Sequence, residues 1–270
     1  MKLNNKYVEK ILTGFIYDET HRIGMSKAVI GLSGGIDSAV SAFLAAKALG
    51  PENVTCILMP HAVSSKESIT HANLVVEQLG VNSETVDITG MVDAYAGTNG
   101  NLSLLRKGNV MARARMIVLY DKSAELNALV IGTSNKTELL LGYSTIFGDS
   151  ASAINPIGDL YKTQLRDLAR YIGVPQVIID KKPSADLWAG QTDEGELGFT
   201  YEEADRYLYE KVDERRTPEE LKKMGFDEKF MERLDKLIYR NQFKRLPPLI
   251  AKLQSRTINI DFRYNRDWNT

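Results

Sequence analysis

The segment best suited to chemistry is a glycine-containing turn at residues 33–38, which reads SGGIDS. It lies between an apolar run at 28–32 and an alanine-rich stretch at 39–49, so we expect it to join a strand to the N-terminus of a helix. Glycines let the backbone approach a ligand closely, and the free N–H groups of a helix N-terminus favour phosphate. Asp37 carries the same sign of charge as a phosphate, so its expected role is to hold a bridging divalent cation.

The turn differs from two common phosphate-binding loops. It has no lysine in a GxxxxGK[ST] pattern, and the dinucleotide pattern GxGxxG is absent from it. A plain strand-to-helix turn with serines as helix caps is the alternative interpretation. Serines at both ends of the turn, together with Asp37, favour the phosphate site.

A second cluster, GTSNKTE, follows an apolar run at 128–131. Thr133 stands at the predicted carboxyl end of that strand and could simply cap the next helix. Glu138 lies one helical turn further on, where its carboxylate could reach the cation held by Asp37. One or two protein carboxylates around phosphates are typical of Mg²⁺.

A third cluster, NVMARARM, occupies residues 109–116 and contains Arg113 and Arg115. Residues two apart on a helix do not share one face. We therefore expect one guanidinium to face a site and the other to lie at the surface.

These clusters resemble, in order, motifs of a known enzyme family. SGGIDS resembles the signature of the N-type ATP pyrophosphatases, which cleave ATP between its α- and β-phosphates and adenylate an oxygen of the substrate. The remaining motifs resemble those of the ammonia-dependent NAD synthetases. They include the two clusters above, INPIGDLYK at 154–162, PSADL at 183–187, QTDEGELG at 191–198 and KRLPP at 244–248.

The resemblance implies specific site residues. Asp37 and Glu138 are expected to bind Mg²⁺, and Arg113 and Lys244 to bind deamido-NAD. The reaction itself, rather than the resemblance, requires a carboxylate near the ammonium site, and Asp149 is the candidate catalytic residue for it. The residues expected to bind ATP are Gly31, Leu32, Ser33, Gly34, Gly35, Ile36, Asp37, Ser38, Met59, Thr133, Lys162 and Ser184.

The implied reaction is the ATP-dependent amidation of deamido-NAD by ammonia through an adenylated carboxylate, which gives NAD, AMP and pyrophosphate. The implied partners are ATP, deamido-NAD, ammonia and a second copy in a homodimer. Glutamine-dependent members of the family carry an additional amidohydrolase domain with a nucleophilic cysteine. The single cysteine here, Cys56, lies in a predicted buried strand, so we expect free ammonia, or ammonia from a separate protein, as the nitrogen source.

Three positions depart from the family pattern on the deamido-NAD side. Ile146, Ala153 and Phe243 stand where many members carry Lys, Asp and His. Two alternatives therefore stay open. One is another ATP pyrophosphatase that amidates or thiolates a nucleotide or tRNA base; the other is a non-catalytic nucleotide-binding protein.

Alternating elements must position these clusters. Apolar periodicity predicts helices at 5–24, 39–49, 65–79 and 102–121, and strands at 28–32, 54–59, 85–88 and 128–131. This alternation predicts a doubly wound parallel sheet flanked by helices, with ligands beyond the carboxyl ends of the strands. The resemblance implies the adenine nucleotide alpha-hydrolase-like version of this α/β fold.

We expect one NAD synthetase domain over residues 1–270, with a core at 25–180. Residues 181–198 are polar and predict a lid loop that closes over the site. Residues 199–270 predict a helical C-terminal part.

Composition sets the remaining expectations. The 270 residues are 43% hydrophobic with a formal net charge of −1, which favours neither nucleic acid nor a membrane surface as partner. No apolar run approaches the ~20 residues of a membrane span, and the N-terminus lacks signal-peptide features. We therefore expect a cytoplasmic protein. The three histidines lack metal-ligand spacing, and His61 is equally compatible with an ordinary loop and with the ATP pocket.

Overall fold

Four parallel strands form the sheet, in the order β3-β2-β1-β4. A computed structural model describes residues 1–100, 102–188 and 190–261 of the chain. The strands are Lys27–Gly31 (β1), Val54–Leu58 (β2), Asn82–Thr85 (β3) and Ala128–Val130 (β4). β1 is central and pairs in parallel with both β2 and β4. This arrangement confirms the predicted parallel α/β sheet.

Helices connect the strands and continue beyond them. Four of those within the sheet-forming half overlap the predicted helices, with boundaries that differ by up to five residues, whereas the helix Thr89–Thr98 was not predicted. The α-helices are Asn5–Arg22 (α1), Ile36–Leu49 (α2), Lys66–Leu79 (α3), Thr89–Thr98 (α4), Leu104–Leu126 (α5), Lys136–Leu141 (α6), Lys162–Ile172 (α7), Gln176–Ile179 (α8), Asp193–Leu197 (α9), Tyr201–Leu208 (α10), Pro218–Lys223 (α11) and Glu228–Arg240 (α12).

β1, β2 and β4 are predominantly apolar because both faces of the sheet are covered there. Ala28 and Ile30 of β1 pack into a core with α1, α2, α3 and α7, whereas Val29 packs into a second core with α4 and α5. Successive strand side chains point to opposite faces, so two cores require apolar residues at every position. Cys56 is fully buried in the first core, as predicted, and its burial raises the pKa of the thiol to about 12.

The third strand lies earlier than predicted. The sequence favoured residues 85–88 because Val86 and Ile88 are apolar, but β3 is Asn82–Thr85, whose side chains are all exposed. β3 is an edge strand held by backbone pairing to β2, so its residues carry little apolar signal. The N–H groups of Val86 and Ile88 still bond to the carbonyls of Leu58 and Pro60, so the chain runs on beside β2 before α4 begins.

The C-terminal part, predicted as helical over 199–270, is largely helical from Tyr201 to Arg245 and has its own core, whereas 246–261 contain no α-helix and 262–270 lie outside the described residues. Tyr207, Leu221 and Leu234 of this part are almost fully buried, together with Leu141 of α6 and Tyr161. A π-helical turn, Tyr209–Asp213, interrupts the predicted run, and a capping box at Thr217 with Pro218 starts α11. Among the described residues, no helix is both long and apolar enough to cross a membrane.

The turn after β1 is packed tightly against α3. Gly34 has φ +75°, and a Cβ built on it would lie 2.0 Å from the backbone oxygen of Ser68. Two constraints therefore require glycine here, the left-handed backbone and the close approach of another backbone segment.

We expect Gly34→Ala to destabilise the protein by about 2–5 kcal/mol, because strained φ and overpacking both oppose it. Gly80→Ala is the matched control. Gly80 also has a positive φ, +64°, but a Cβ there would meet nothing within 4 Å. This control should lose only about 1–2 kcal/mol. Urea denaturation measures the free energy of unfolding of both variants. Equal losses would contradict the conclusion that Gly34 is required by the close approach of the Ser68 backbone.

Candidate functional site

A cavity of about 590 Å³ opens where the strands end at their carboxyl edge. The predicted site residues, gathered from distant parts of the sequence, line it with two exceptions. Gly34 lies behind the turn against Ser68, and Arg113 lies outside the cavity. The predicted residues in the lining are Gly31, Leu32, Ser33, Gly35, Ile36, Asp37, Ser38, Met59, Thr133, Glu138, Asp149, Lys162, Ser184 and Lys244.

The glycine turn leads directly into α2. Gly35 is the N-cap residue of this helix and provides no capping side chain, so no side chain covers the first N–H groups. The Ser38 hydroxyl donates to the Gly35 carbonyl at 3.0 Å and accepts from the Ser33 N–H at 3.2 Å. These bonds hold the turn in a shape that presents an anion-binding helix end to the cavity.

A buried lysine lies between the two carboxylates predicted to bind metal. Lys162 Nζ is 2.6 Å from Asp37 Oδ2 and 3.4 Å from Glu138 Oε1, and its side chain is only 3% exposed. Asn135 Nδ2 donates to the other Asp37 oxygen at 2.9 Å. The three charged groups, predicted separately from three segments, therefore form one cluster.

The charged groups of this cluster shift each other's pKa values. Burial, reinforced by the nearby charge of Asp37, raises the pKa of Glu138 to about 8. Burial alone would lower the pKa of Lys162, but the Asp37 and Glu138 carboxylates outweigh it and the pKa is raised. The lysine thus remains charged, and it compensates two acidic groups that would otherwise repel each other.

Helix starts position this cluster. Asn135 forms a capping box with Glu138 at the N-terminus of α6, with its side chain accepting from the Glu138 N–H at 3.0 Å. Lys162 is the first residue of α7, and its N–H donates to the Thr137 hydroxyl at 3.0 Å. Asp205 of α10 accepts from both the Thr137 hydroxyl and the Thr163 N–H. The C-terminal part therefore fixes the point from which Lys162 extends.

Sequence reasoning assigned no role to Asp193, although it lines the cavity. This residue is 5% exposed and accepts hydrogen bonds from the hydroxyls of Tyr143 (3.2 Å) and Tyr201 (3.0 Å). Burial raises the pKa of Asp193, and the charge of Lys162 opposes the rise. The acidic stretch QTDEGELG was the available signal, but nothing in it distinguishes the buried carboxylate from its exposed neighbours.

Asp149 and Lys244 occupy another part of the cavity wall. Asp149 Oδ1 accepts from the Thr145 N–H at 2.7 Å, and Lys244 Nζ donates to the carbonyls of Gly142 and Ser144 at 2.6 Å each. The Asp149 carboxylate borders the open cavity, yet the protein atoms around it raise its pKa by desolvation. Desolvation also lowers the pKa of Lys244.

The two arginines of α5 diverge, as their spacing predicts, and it is Arg115 rather than Arg113 that lines this cavity. Arg115 lines the cavity and its Nε donates to the Met59 carbonyl at 3.1 Å. Arg113 is exposed outside the cavity, and its guanidinium donates to the Ile146 carbonyl at 3.2 Å. A single chain therefore does not bring Arg113 to the nucleotide cavity.

The residues whose roles the sequence left undecided do not line the cavity. His61 is buried, its Nδ1 accepts from the Val63 N–H at 3.1 Å, and it does not line the cavity. Ile146, Ala153 and Phe243, the departures from the family pattern, are also outside the lining, and Phe243 is 57% exposed.

A parallel sheet with an anion-binding turn, a carboxylate pair and a cavity at its carboxyl edge defines a nucleotide-binding α/β protein. Its solved relatives share the adenine nucleotide alpha-hydrolase-like fold. The family model described as NAD synthase matches residues 7–248. The chain belongs to the NAD synthase family.

Individual relatives extend over nearly the whole chain. A protein of Chlorobaculum parvum named NH(3)-dependent NAD(+) synthetase is 56% identical over 268 residues, which cover 99% of this chain and 97% of that protein. An NMN synthetase structure from Francisella tularensis has 36% identity and a TM-score of 0.83, covering 93% of this chain and 99% of that one. An NH3-dependent NAD synthetase structure from Campylobacter jejuni has 35% identity and a TM-score of 0.80, covering 93% and 100%.

The two arginines of α5 allow a direct test. Arg115→Met removes a charged donor from the cavity and should weaken ATP binding about tenfold or more. Arg113→Met should leave ATP binding within about twofold, because the side chain lies outside the cavity. Calorimetric titration with ATP measures both, and a weaker affinity in the Arg113 variant alone would contradict the placement.

Proposed function

We propose that this chain is an ammonia-dependent NAD synthetase. An oxygen of the nicotinate carboxylate of deamido-NAD attacks the α-phosphorus of ATP, and pyrophosphate leaves. Ammonia then attacks the acyl carbon of the adenylate, AMP leaves with the bonding electrons, and the nitrogen loses a proton. The products are NAD, AMP and pyrophosphate.

One observation carries the proposal: the anion-binding turn, the Asp37–Lys162–Glu138 cluster and Asp149 all face one cavity. The turn and Lys162 suit the polyphosphate of ATP, because both offer positive charge or N–H donors. The 56% identity to a protein named for this reaction supports the choice of acceptor. A protein that only binds nucleotides does not need two partly buried carboxylates beside the polyphosphate.

The carboxylate pair fits Mg²⁺. Asp37 and Glu138 come from the starts of different helices, and their oxygens already face one cation, the ammonium of Lys162. Hard oxygen donors of this number are what Mg²⁺ takes from proteins. Bound Mg²⁺ would neutralise charge that develops on the departing pyrophosphate.

The chain's own groups supply position and charge. Lys162, Ser184 and the N–H groups that begin α2 would hold the polyphosphate in line for attack, which lowers the entropic part of the barrier. Residues 181–188 border the cavity and would exclude water, which otherwise hydrolyses the adenylate.

Asp149 is the proposed ammonium site. Its carboxylate borders the cavity on the side of Lys244, and it would attract ammonium and then hold the proton lost when neutral ammonia forms.

We also propose a homodimer and a cytoplasmic location. Arg113, Ile117 and Tyr120 follow each other at helical spacing on the outer face of α5, where Ile117 is 54% and Tyr120 is 41% exposed. A second copy covering this face would bury the apolar residues and bring Arg113 to an interface, where the family resemblance expects the dinucleotide. The reduced, buried Cys56 is compatible with a reducing compartment.

Direct assay tests the function. With ATP, Mg²⁺, ammonium and deamido-NAD, we expect NAD, AMP and pyrophosphate in equal amounts. The carboxylate analogue of NMN belongs in a parallel reaction, because the Francisella relative is an NMN synthetase. Asp149→Asn should lower kcat/KM for ammonium about 100-fold, whereas Asp167→Asn, at a 61% exposed side chain, should not. Formation of ADP in place of AMP would sink the proposal.

A second experiment tests the metal site. Lys162→Met removes the ammonium that faces Asp37 and Glu138, so this variant without nucleotide should bind Mn²⁺ at least about tenfold more tightly than the wild type. The double variant Asp37→Asn with Lys162→Met should lose that gain. Electron paramagnetic resonance of free Mn²⁺ measures the affinity. Identical binding by all three proteins would exclude the carboxylate pair as the metal site.

A further inference from the structure

A short part of the 181–198 segment is attached to α3 through one carboxylate. Asp186 Oδ2 accepts from the Ser65 N–H at 2.9 Å and from the Ser68 hydroxyl at 3.0 Å. We propose that Asp186 is a positioning residue that fixes Ser184 beside the nucleotide by binding the N-terminus of α3. The inference rests on the proposed contact between Ser184 and ATP.

The attachment site suits a carboxylate. Ser65 is the N-cap residue of α3, a helix of 14 residues, and its hydroxyl accepts from the Ser68 N–H at 3.1 Å. The positive end of the helix dipole and the available donors both favour an anion here. Hydrogen bonds to a charged acceptor are about twice as strong as neutral ones.

The same part of α3 contacts the phosphate-binding turn. The backbone oxygen of Ser68 occupies the space where a Cβ of Gly34 would lie, at 2.0 Å. The Ser68 hydroxyl donates to Asp186 and accepts from Lys181 Nζ at 2.8 Å. Ser68, which is 6% exposed, thus touches the turn with its carbonyl and the 181–187 stretch with its hydroxyl.

The backbone between Asp186 and Ser184 completes the connection. Asp186 has φ +52°, a left-handed conformation that Asp and Asn tolerate better than most residues. Its N–H donates to the Ser184 hydroxyl oxygen at 3.1 Å. Because the oxygen accepts this bond, the Ser184 hydroxyl hydrogen is free to donate, as contact with a phosphate oxygen requires.

Three variants separate the carboxylate from the backbone conformation. Asp186→Gly keeps the positive φ but removes the carboxylate. Asp186→Asn keeps the φ and one acceptor oxygen but removes the charge, and Asp186→Ala removes both features. Ser184→Ala tests the nucleotide contact itself.

Two measurements report on the attachment without requiring turnover. Calorimetric titration gives the Kd for ATP, and the rate of tryptic cleavage after Lys181 reports how firmly the segment is held. We expect Asp186→Gly to weaken ATP binding about tenfold and to speed cleavage about tenfold, with Asp186→Asn between it and the wild type. Ser184→Ala should weaken ATP binding without faster cleavage. Melting temperatures identify any variant that fails to fold.

The outcomes distinguish this inference from the proposed function. Unchanged cleavage or unchanged ATP affinity in folded Asp186→Gly would overturn the positioning role. If Asp186→Asn bound ATP no more tightly than Asp186→Gly, the hydrogen bonds that residue 186 accepts would be excluded as the cause of the positioning. The proposed function fails separately, if the wild type binds ATP but forms no NAD from deamido-NAD.

Discussion

The site depends on one buried charge balance, the ammonium of Lys162 between the carboxylates of Asp37 and Glu138. Two carboxylates so close together and largely shielded from water repel each other and resist ionisation, so a cation between them stabilises their charged forms. Lysine provides it within a single chain because α2, α6 and α7 all start at the same edge of the sheet. The parallel topology is therefore what makes the charge cluster possible.

Much of this architecture is predictable from sequence. Strands buried on both faces, such as β1 with Ala28, Val29 and Ile30, carry a continuous apolar signal, and the glycine turn is recognisable by type and spacing. The edge strand β3 is not, because backbone pairing alone holds Asn82–Thr85 in place. Local sequence patterns indicate which residues are buried. An exposed edge strand has almost no buried residues and therefore almost no such pattern.

The candidate site divides in the same way. Asp37 and Glu138 stand out because their residue types near strand ends and helix starts suit a phosphate and a metal, whereas Lys162 is identified only by the family resemblance. Asp193 and Asp186 do not stand out, since their importance comes from tertiary partners, two tyrosine hydroxyls in one case and the start of α3 in the other. The arginines show a related limit. Helical spacing establishes that Arg113 and Arg115 diverge, but only the packing of α5 decides which one faces the cavity.

The bond between Asp205 and the start of α7 makes the C-terminal part a brace for the active region. The Asp205 carboxylate, on α10, accepts hydrogen bonds from the Thr137 hydroxyl and from the Thr163 N–H. The same Thr137 hydroxyl accepts from the backbone N–H of Lys162. A change in the packing among α10, α11 and α12 would therefore move Lys162 through Asp205, although no residue of these three helices lines the cavity. We expect substitutions in that outer helical layer to alter activity even when every residue that lines the cavity stays the same.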